Sequence, residues 1–336
     1  MTKSGNIDLS FLTSQRIFIT GGTGFVGKNL LKFLIDHDIT PKQVTILTRN
    51  VQRFKQIYPE LSNNEWLDFE QVDIRNLQWN NQKYDYFIHA ATSVVDQSES
   101  EKLFDEIVNG TKQAILFAKQ AEVKNFINIS SGAVYQSNEN LVGLTEDSPL
   151  IMELDNSKNA YAIAKISSEH LAYLATTNTE MKVMTLRCFC FAGAYLDSAH
   201  FAIGEFVHKA LSNEDIVVRA GLGIYRSYLA ASDLAKQIFE ILVTSDTRAS
   251  RYEVYNLGSD DAISLPSLAH KVVKVLDSKS IVTIPNISSR TINYYVPNID
   301  KLNDAIKTRN NYVLENIITD LANFYQCSNS SNFNPS

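Results

Sequence analysis

Cysteine is scarce in this chain: 336 residues hold three, Cys188, Cys190 and Cys327, and no CxxC spacing. An odd number without paired spacing points to neither a disulfide framework nor a zinc site, so no metal is expected and a reducing cytoplasm fits. Nowhere do about 18 apolar residues run together, and the opening MTKSGNIDLSFLTSQ lacks the apolar core of roughly 7–15 residues that an export signal needs. Neither a membrane span nor export is expected. Basic charge is also short, since 31 Lys and Arg face 37 Asp and Glu for a net charge of -6. That balance argues against a nucleic-acid-binding face and against a polybasic membrane anchor, which leaves a small molecule as the expected partner. The composition is otherwise 44% hydrophobic and 20% charged, ordinary for a globular chain long enough to build a full core and a second lobe.

Short β-branched runs alternate with helical periodicity. RIFIT (Arg16–Thr20) is followed by glycines and then by KNLLKFLIDH. VTILT (Val44–Thr48), DFEQVDI (Asp68–Ile74), YDYFIHAAT (Tyr84–Thr92), FINISS (Phe126–Ser131) and VMTLRCF (Val183–Phe189) read as further strands, with EKLFDEIVNGTKQAILFAKQA and the Tyr161 segment as helices between them. This pattern predicts an α/β fold, a doubly wound parallel sheet covered on both faces, over residues 12–190. After residue 190 the alternation loosens. VVRAG, YEVYNLG and TINYYV are short strand candidates of a smaller lobe that takes up the main part of 191–325, and the Ser/Asn-rich stretch 326–336 reads as a frayed tail.

The turn TGGTGFVG spans Thr20 to Gly27. Gly21 allows the tight bend, Gly24 lets backbone approach a pyrophosphate, and Gly27 lets helix pack on strand, with the anion at the helix N-terminus. Because the turn follows a strand and opens a helix in a repeated βαβ unit, it predicts a dinucleotide site. The second strand ends in LTRN, where Arg49 stands in place of the acid that would accept from the ribose 2′-hydroxyl of NAD. A guanidinium suits a 2′-phosphate, so NADP(H) is favoured. The alternative is that Arg49 stacks on adenine and NAD(H) is also accepted.

In NAYAIAK, Tyr161 and Lys165 lie four apart on a predicted helix, hence on one face. An ammonium there would lower the pKa of the phenol, which otherwise titrates near ~10, and make it an acid–base group. The competing reading is two ordinary side chains of an amphipathic helix.

Taken in order, these segments resemble the extended short-chain dehydrogenase/reductase family of nucleotide-sugar epimerases, dehydratases and reductases. The turn matches TGxxGxxG, and Asp73–Ile74 resembles the pair at the adenine. HAAT (His89–Thr92) resembles the strand along the cofactor, and Asn109-Gly110-Thr111 resembles a helix motif. ISSGAVY resembles the serine strand, YAIAK the YxxxK, and RSYLAASDLA (Arg226–Ala235) the RDYxxVxDxA segment. The resemblance implies cofactor contacts from Gly21, Thr23, Gly24, Phe25, Val26, Gly27, Arg49, Asp73, Ile74, Ala90, Ala91, Thr92, Tyr161 and Lys165. It implies Ser131, Tyr161 and Lys165 as the catalytic set, with Ser130 the rival for the serine role. Arg226 would bind the substrate diphosphate, against the alternative of a salt bridge with Asp233. His200 and Arg290 are weaker substrate candidates, and His89 needs no chemical role.

Departures narrow the reaction. Gly132 and Ala133 stand where the family's 4,6-dehydratases carry an acidic pair, and Cys190 replaces an Asn near the substrate. The resemblance therefore implies an NADPH-dependent reduction of a nucleotide-linked 4-keto-6-deoxyhexose, for surface polysaccharide sugars, by a homodimer formed through the helices after residues 100 and 161. The alternatives are an NAD-dependent C4 epimerase, a 4,6-dehydratase, or a non-catalytic NADP sensor; the last usually loses the Tyr or Lys kept here.

Overall fold

A computed structural model describes residues 7–91, 100–135, 143–150, 152–197, 201–219, 223–285 and 292–330. Its centre is a seven-stranded, wholly parallel sheet. The strands are β1 (Arg16–Thr20), β2 (Gln43–Thr48), β3 (Leu67–Gln71), β4 (Tyr86–His89), β5 (Asn125–Ser131), β6 (Lys182–Cys188) and β7 (Tyr252–Leu257), in the order β7-β6-β5-β4-β1-β2-β3. Chain order reverses between β1 and β4, and a crevice opens there at the carboxyl ends.

Successive strand residues point to opposite faces, and the sequence fills both. Ile17, Ile19, Tyr86 and Ile88 join one apolar cluster with Leu30, Leu31, Ile238 and Phe239, which belong to helices α1 (Phe25–Asp36) and α4 (Ala231–Thr244). Here α2 denotes Ser100–Gln120 and α3 Ala160–Ala175. Phe18, Phe87 and Phe126 face the other way, meeting Ala114, Phe117 and Ala118 of α2 and Ala172 and Ala175 of α3. The Phe18–Phe87 and Phe87–Phe126 rings stack at 5.1 and 5.0 Å. A separate cluster joins helices Ala202–Leu211, Leu265–Val275 and Leu314–Ser330 into the smaller lobe. In that lobe the strand Ile224–Arg226 lies between Ile263–Ser264 and Asn293–Tyr295.

Three expectations are corrected. YEVYNLG supplies β7 of the main sheet, and α4 packs on α1, so residues 231–257 return to the nucleotide-binding layer instead of belonging to the second lobe. The strand read as Asp68–Ile74 stops at Gln71, because the Asp73 side chain accepts the Arg75 amide and turns the chain. The tail expected from 326 is helical to Ser330, since Ile317, Ile318, Leu321 and Tyr325 bury one face of that helix.

A buried ion pair ties α3 to the sheet. The Arg187 guanidinium on β6 donates to both oxygens of Glu169 at 2.8–3.2 Å, to the Tyr135 hydroxyl and to the Glu146 carbonyl, while Ser130 of β5 donates to Glu169 at 2.5 Å. Removing one partner strands the other charge in a dry interior. Glu169→Ala should therefore cost about 3–5 kcal/mol of unfolding free energy, measurable by urea denaturation.

Candidate active site

The glycine turn closes tightly on β4. Gly21 holds φ +69, and a Cβ there would stand 2.5 Å from the Ala90 carbonyl, so only glycine fits. Gly24 caps α1, whose first residues are Phe25, Val26 and Gly27. Helix geometry leaves their amides without an i−4 acceptor, ready for an anion. A cleft of about 220 Å³ is lined by Gly21, Thr23, Gly24, Arg49, Asp73, Ile74, Ala90, Ala91 and Glu106. A nicotinamide dinucleotide fits this cradle. The Arg75 guanidinium hydrogen-bonds Asp73 and, with Arg49 nearby, holds its carboxyl down at about 2. Thr92, His200 and Arg290 lie outside the described residues.

Tyr161 and Lys165 sit one turn apart on α3 and face the end of β5. Lys165 is buried, and its Nζ donates to the Ile129 carbonyl at 2.9 Å. The Ser131 hydroxyl acts on the Tyr161 phenol by opposing the rise that burial gives its pKa. Ser130, its neighbour on the opposite face, is engaged by Glu169, so Ser131 is the serine brought to Tyr161. Asn109 is exposed and donates to Asp105, whereas Thr111 is buried beside His89.

The electrostatic expectation for the pair is corrected. Burial raises the Tyr161 pKa, and the opposing lowering comes from the Ser131 hydroxyl, not from the lysine. Lys165 Nζ lies 5.9 Å from the phenol ring centroid, and burial brings its own pKa down to about 8 despite the opposing pull of Cys188 and Glu169. The i,i+4 spacing sets proximity; the dry surroundings decide the charge state.

On the substrate side, a cleft of about 550 Å³ is lined by Tyr161, Ala133, Cys190, Arg226, Asn293 and Tyr295, among others. Arg226 does not pair with Asp233. Its Nη1 donates to the Asn293 side chain at 2.6 Å and to the Tyr225 carbonyl, while Asp233 accepts from Asn311 and the Tyr312 amide. Tyr135, Asn293 and Tyr295 are among the lining residues not singled out as site residues from the sequence. TINYYV reads only as a strand, and nothing in its spacing tells which tyrosine faces the cleft.

A model of the NAD dependent epimerase/dehydratase family matches residues 17–258. The chain belongs to that family. Over 280 residues it is 26% identical to dTDP-D-glucose 4,6-dehydratase of Dictyostelium discoideum, covering 78% of this chain but only 62% of that protein's length. It is 21% identical to dTDP-4-dehydro-6-deoxyglucose reductase of Escherichia coli over 93% of this chain and 98% of the relative. A solved UDP-N-acetylglucosamine 4-epimerase from Methanobrevibacter ruminantium superposes with a TM-score of 0.79 at 20% identity, covering 94% and 99% of the two chains. UDP-glucuronic acid 4-epimerase from Bacillus cereus, solved with UDP-glucuronic acid and NAD, gives 0.77 at 18%, covering 93% and 99%. The protein is thus an NAD(P)-dependent enzyme acting on CH–OH groups. Among the described residues no helix is long and apolar enough to cross a membrane.

His89, at the end of β4, is buried between the hydroxyls of Thr20 and Thr111 at 2.8 and 3.0 Å. Burial, aided by Lys165, brings its pKa from 6.5 down to about 3, so the imidazole is neutral in the fold. Below 6.5 the unfolded chain takes up a proton that the native state refuses, so stability is lost as pH falls from 6.5 towards 3. Between pH 7 and 5 this group alone should remove about 2 kcal/mol, an acid sensitivity that urea titrations of His89→Gln should lack.

Proposed function

We propose that this enzyme reduces the C4 ketone of a nucleotide-linked 4-keto-6-deoxyhexose with NADPH, working as a homodimer in the cytoplasm. The lining of the Tyr161 cleft carries the reading: among the described residues around it there is no Asp, Glu or His. Eliminating water beside a ketone needs one group to take a carbon-bound proton and another to protonate the leaving hydroxyl. Gly132 and Ala133 supply neither. Reducing the ketone needs a single proton, for which Tyr161 is placed beside Ser131.

The bound dinucleotide would supply the hydride. Tyr161 gives its phenolic proton to the carbonyl oxygen as the alkoxide forms, Ser131 hydrogen-bonds the same oxygen, and Lys165 binds the nicotinamide ribose. Arg226 takes the substrate diphosphate, for which a planar guanidinium is suited. The reading of Arg49 as the contact to a 2′-phosphate favours NADPH. Asp73 and Glu106 line that same cleft, and their carboxylates give the second reading, an NAD-dependent C4 epimerase, its footing. Apolar Phe104 and Leu116 on α2, with Tyr173 and Leu174 on α3, stand exposed on two packed helices and support dimerisation through that face.

Incubation with NADPH and dTDP-4-keto-6-deoxyglucose should yield the 4-hydroxy sugar by NMR, with one NADPH oxidised per sugar. An epimerised nucleotide sugar formed without net oxidation of the cofactor would sink the reductase reading. Tyr161→Phe should lower turnover by about 10²–10⁴-fold while NADPH binding persists. Arg49→Ala should raise KM for NADPH roughly 10- to 100-fold and leave that for NADH nearly unchanged, as expected for loss of a charged hydrogen bond.

A further inference from the structure

Strand order decides which part of a dinucleotide meets which strand end. On this side the sheet runs β4-β1-β2-β3, with the glycine turn after β1 and Arg49 directly after β2. A pyrophosphate at the turn puts the ribose over β2 and carries the base outward to β3. The residues that follow β3, Val72, Asp73 and Ile74, line that end of the cleft.

A carboxylate offers about four lone-pair sites. At Asp73 three of them are taken, all by Arg75: its amide and its Nε both donate to Oδ1 at 2.9 Å, and its Nη2 donates to Oδ2 at 3.0 Å. One acceptor position is left, on Oδ2. The guanidinium that imposes this is itself fixed from the other side. Its Nη1 donates to Asp105 Oδ2 at 2.9 Å, and Asn109 donates to the second oxygen of Asp105 at 2.5 Å. Asp105 and Asn109 stand one turn apart on α2, so the string of contacts runs from the end of β3 to the helix that brings Glu106 to the cleft.

We propose that Arg75, anchored by Asp105, is a positioning residue that sets the base selectivity of the cofactor site: it fixes the Asp73 carboxylate so that its last lone pair accepts the exocyclic amino group of adenine. A 6-oxo purine would bring a carbonyl oxygen to the same place, acceptor against acceptor. The Arg75 contact also keeps the carboxyl ionised, its pKa held down at about 2, so Asp73 cannot become a donor to the oxo base. The inference rests on the dinucleotide cleft alone and holds whichever reaction the sugar undergoes.

Titrating protein fluorescence with NADPH and NADH, and with their hypoxanthine counterparts, gives a selectivity ratio that needs no sugar. The wild-type protein should bind the adenine forms about tenfold or more tightly, as expected for a hydrogen bond to a charged acceptor. Arg75→Met should lower that ratio roughly fivefold by weakening the adenine forms, with the hypoxanthine forms held within about twofold. Arg75→Lys should regain part of it, and Asp105→Asn, which loosens the anchor, should fall between. Asp73→Asn, whose amide can turn a donor to the oxo base, should bring the hypoxanthine forms level with the adenine forms. A purely structural role for Arg75 would weaken both bases together and leave the ratio where it was. That result, a wild-type ratio near one, or an unchanged ratio in Asp73→Asn overturns the proposal.

Discussion

Helix α3 carries Tyr161, Lys165 and Glu169 at intervals of four, a polar stripe turned into the protein. Such a stripe is tolerable only if every polar head finds a partner. Glu169 finds Arg187 and Ser130, Lys165 finds the Ile129 carbonyl, and Tyr161, at the outer end, lines the cleft. The innermost contact, Glu169 with Arg187, fixes the axial position and rotation of the helix against β5 and β6. The other two side chains then have no choice of direction. A buried ion pair contributes little net stability by itself; here it sets the register from which Tyr161 and Lys165 take their places.

From that register follows the division of β5 into two functions. Adjacent strand residues face opposite ways, so Ser130, held by Glu169, commits Ser131 to the cleft. The strand then breaks at Gly132 into a short 3-10 turn, in which the Ser131 side chain accepts the Ala133 amide. The glycine that ends the strand also clears the approach of the smaller lobe. Sites at the carboxyl ends of a parallel sheet are open on one side by construction, and a second lobe must close them. Here the closure is made by side chains brought in register on two neighbouring strands, Arg226 opposite Tyr295.

How much of this was legible beforehand follows the range of the interactions involved. The glycine turn and the first six strands are local patterns, and β1 ends where RIFIT ends. Strand β7 was misassigned to the second lobe because its partner, β6, lies about seventy residues earlier and only the folded chain shows the pairing. Tyr161 and Lys165 were legible as neighbours, but spacing says nothing about dielectric, and the sign of the phenol's shift came out opposite. Ser131 could be separated from Ser130 by alignment with the serine strand; the physical reason, Glu169 taking Ser130, spans 39 positions. Tyr295 had no signature at all, for a hydroxyl becomes interesting only by what a glycine more than a hundred and fifty residues away leaves room for.

That dependence on room gives the departure at Gly132 and Ala133 more meaning than the loss of two acids. If the pair were missing alone, the cleft would hold a void or water beside Ser131. Instead the phenol of Tyr295 occupies the place beside Gly132, packed on Phe189. An acid restored at 132 would collide with that phenol, and a smaller residue at 295 would leave a gap against Phe189. Position 132 and position 295 therefore constrain each other: a side chain at 132 needs a smaller residue at 295 to make room for it.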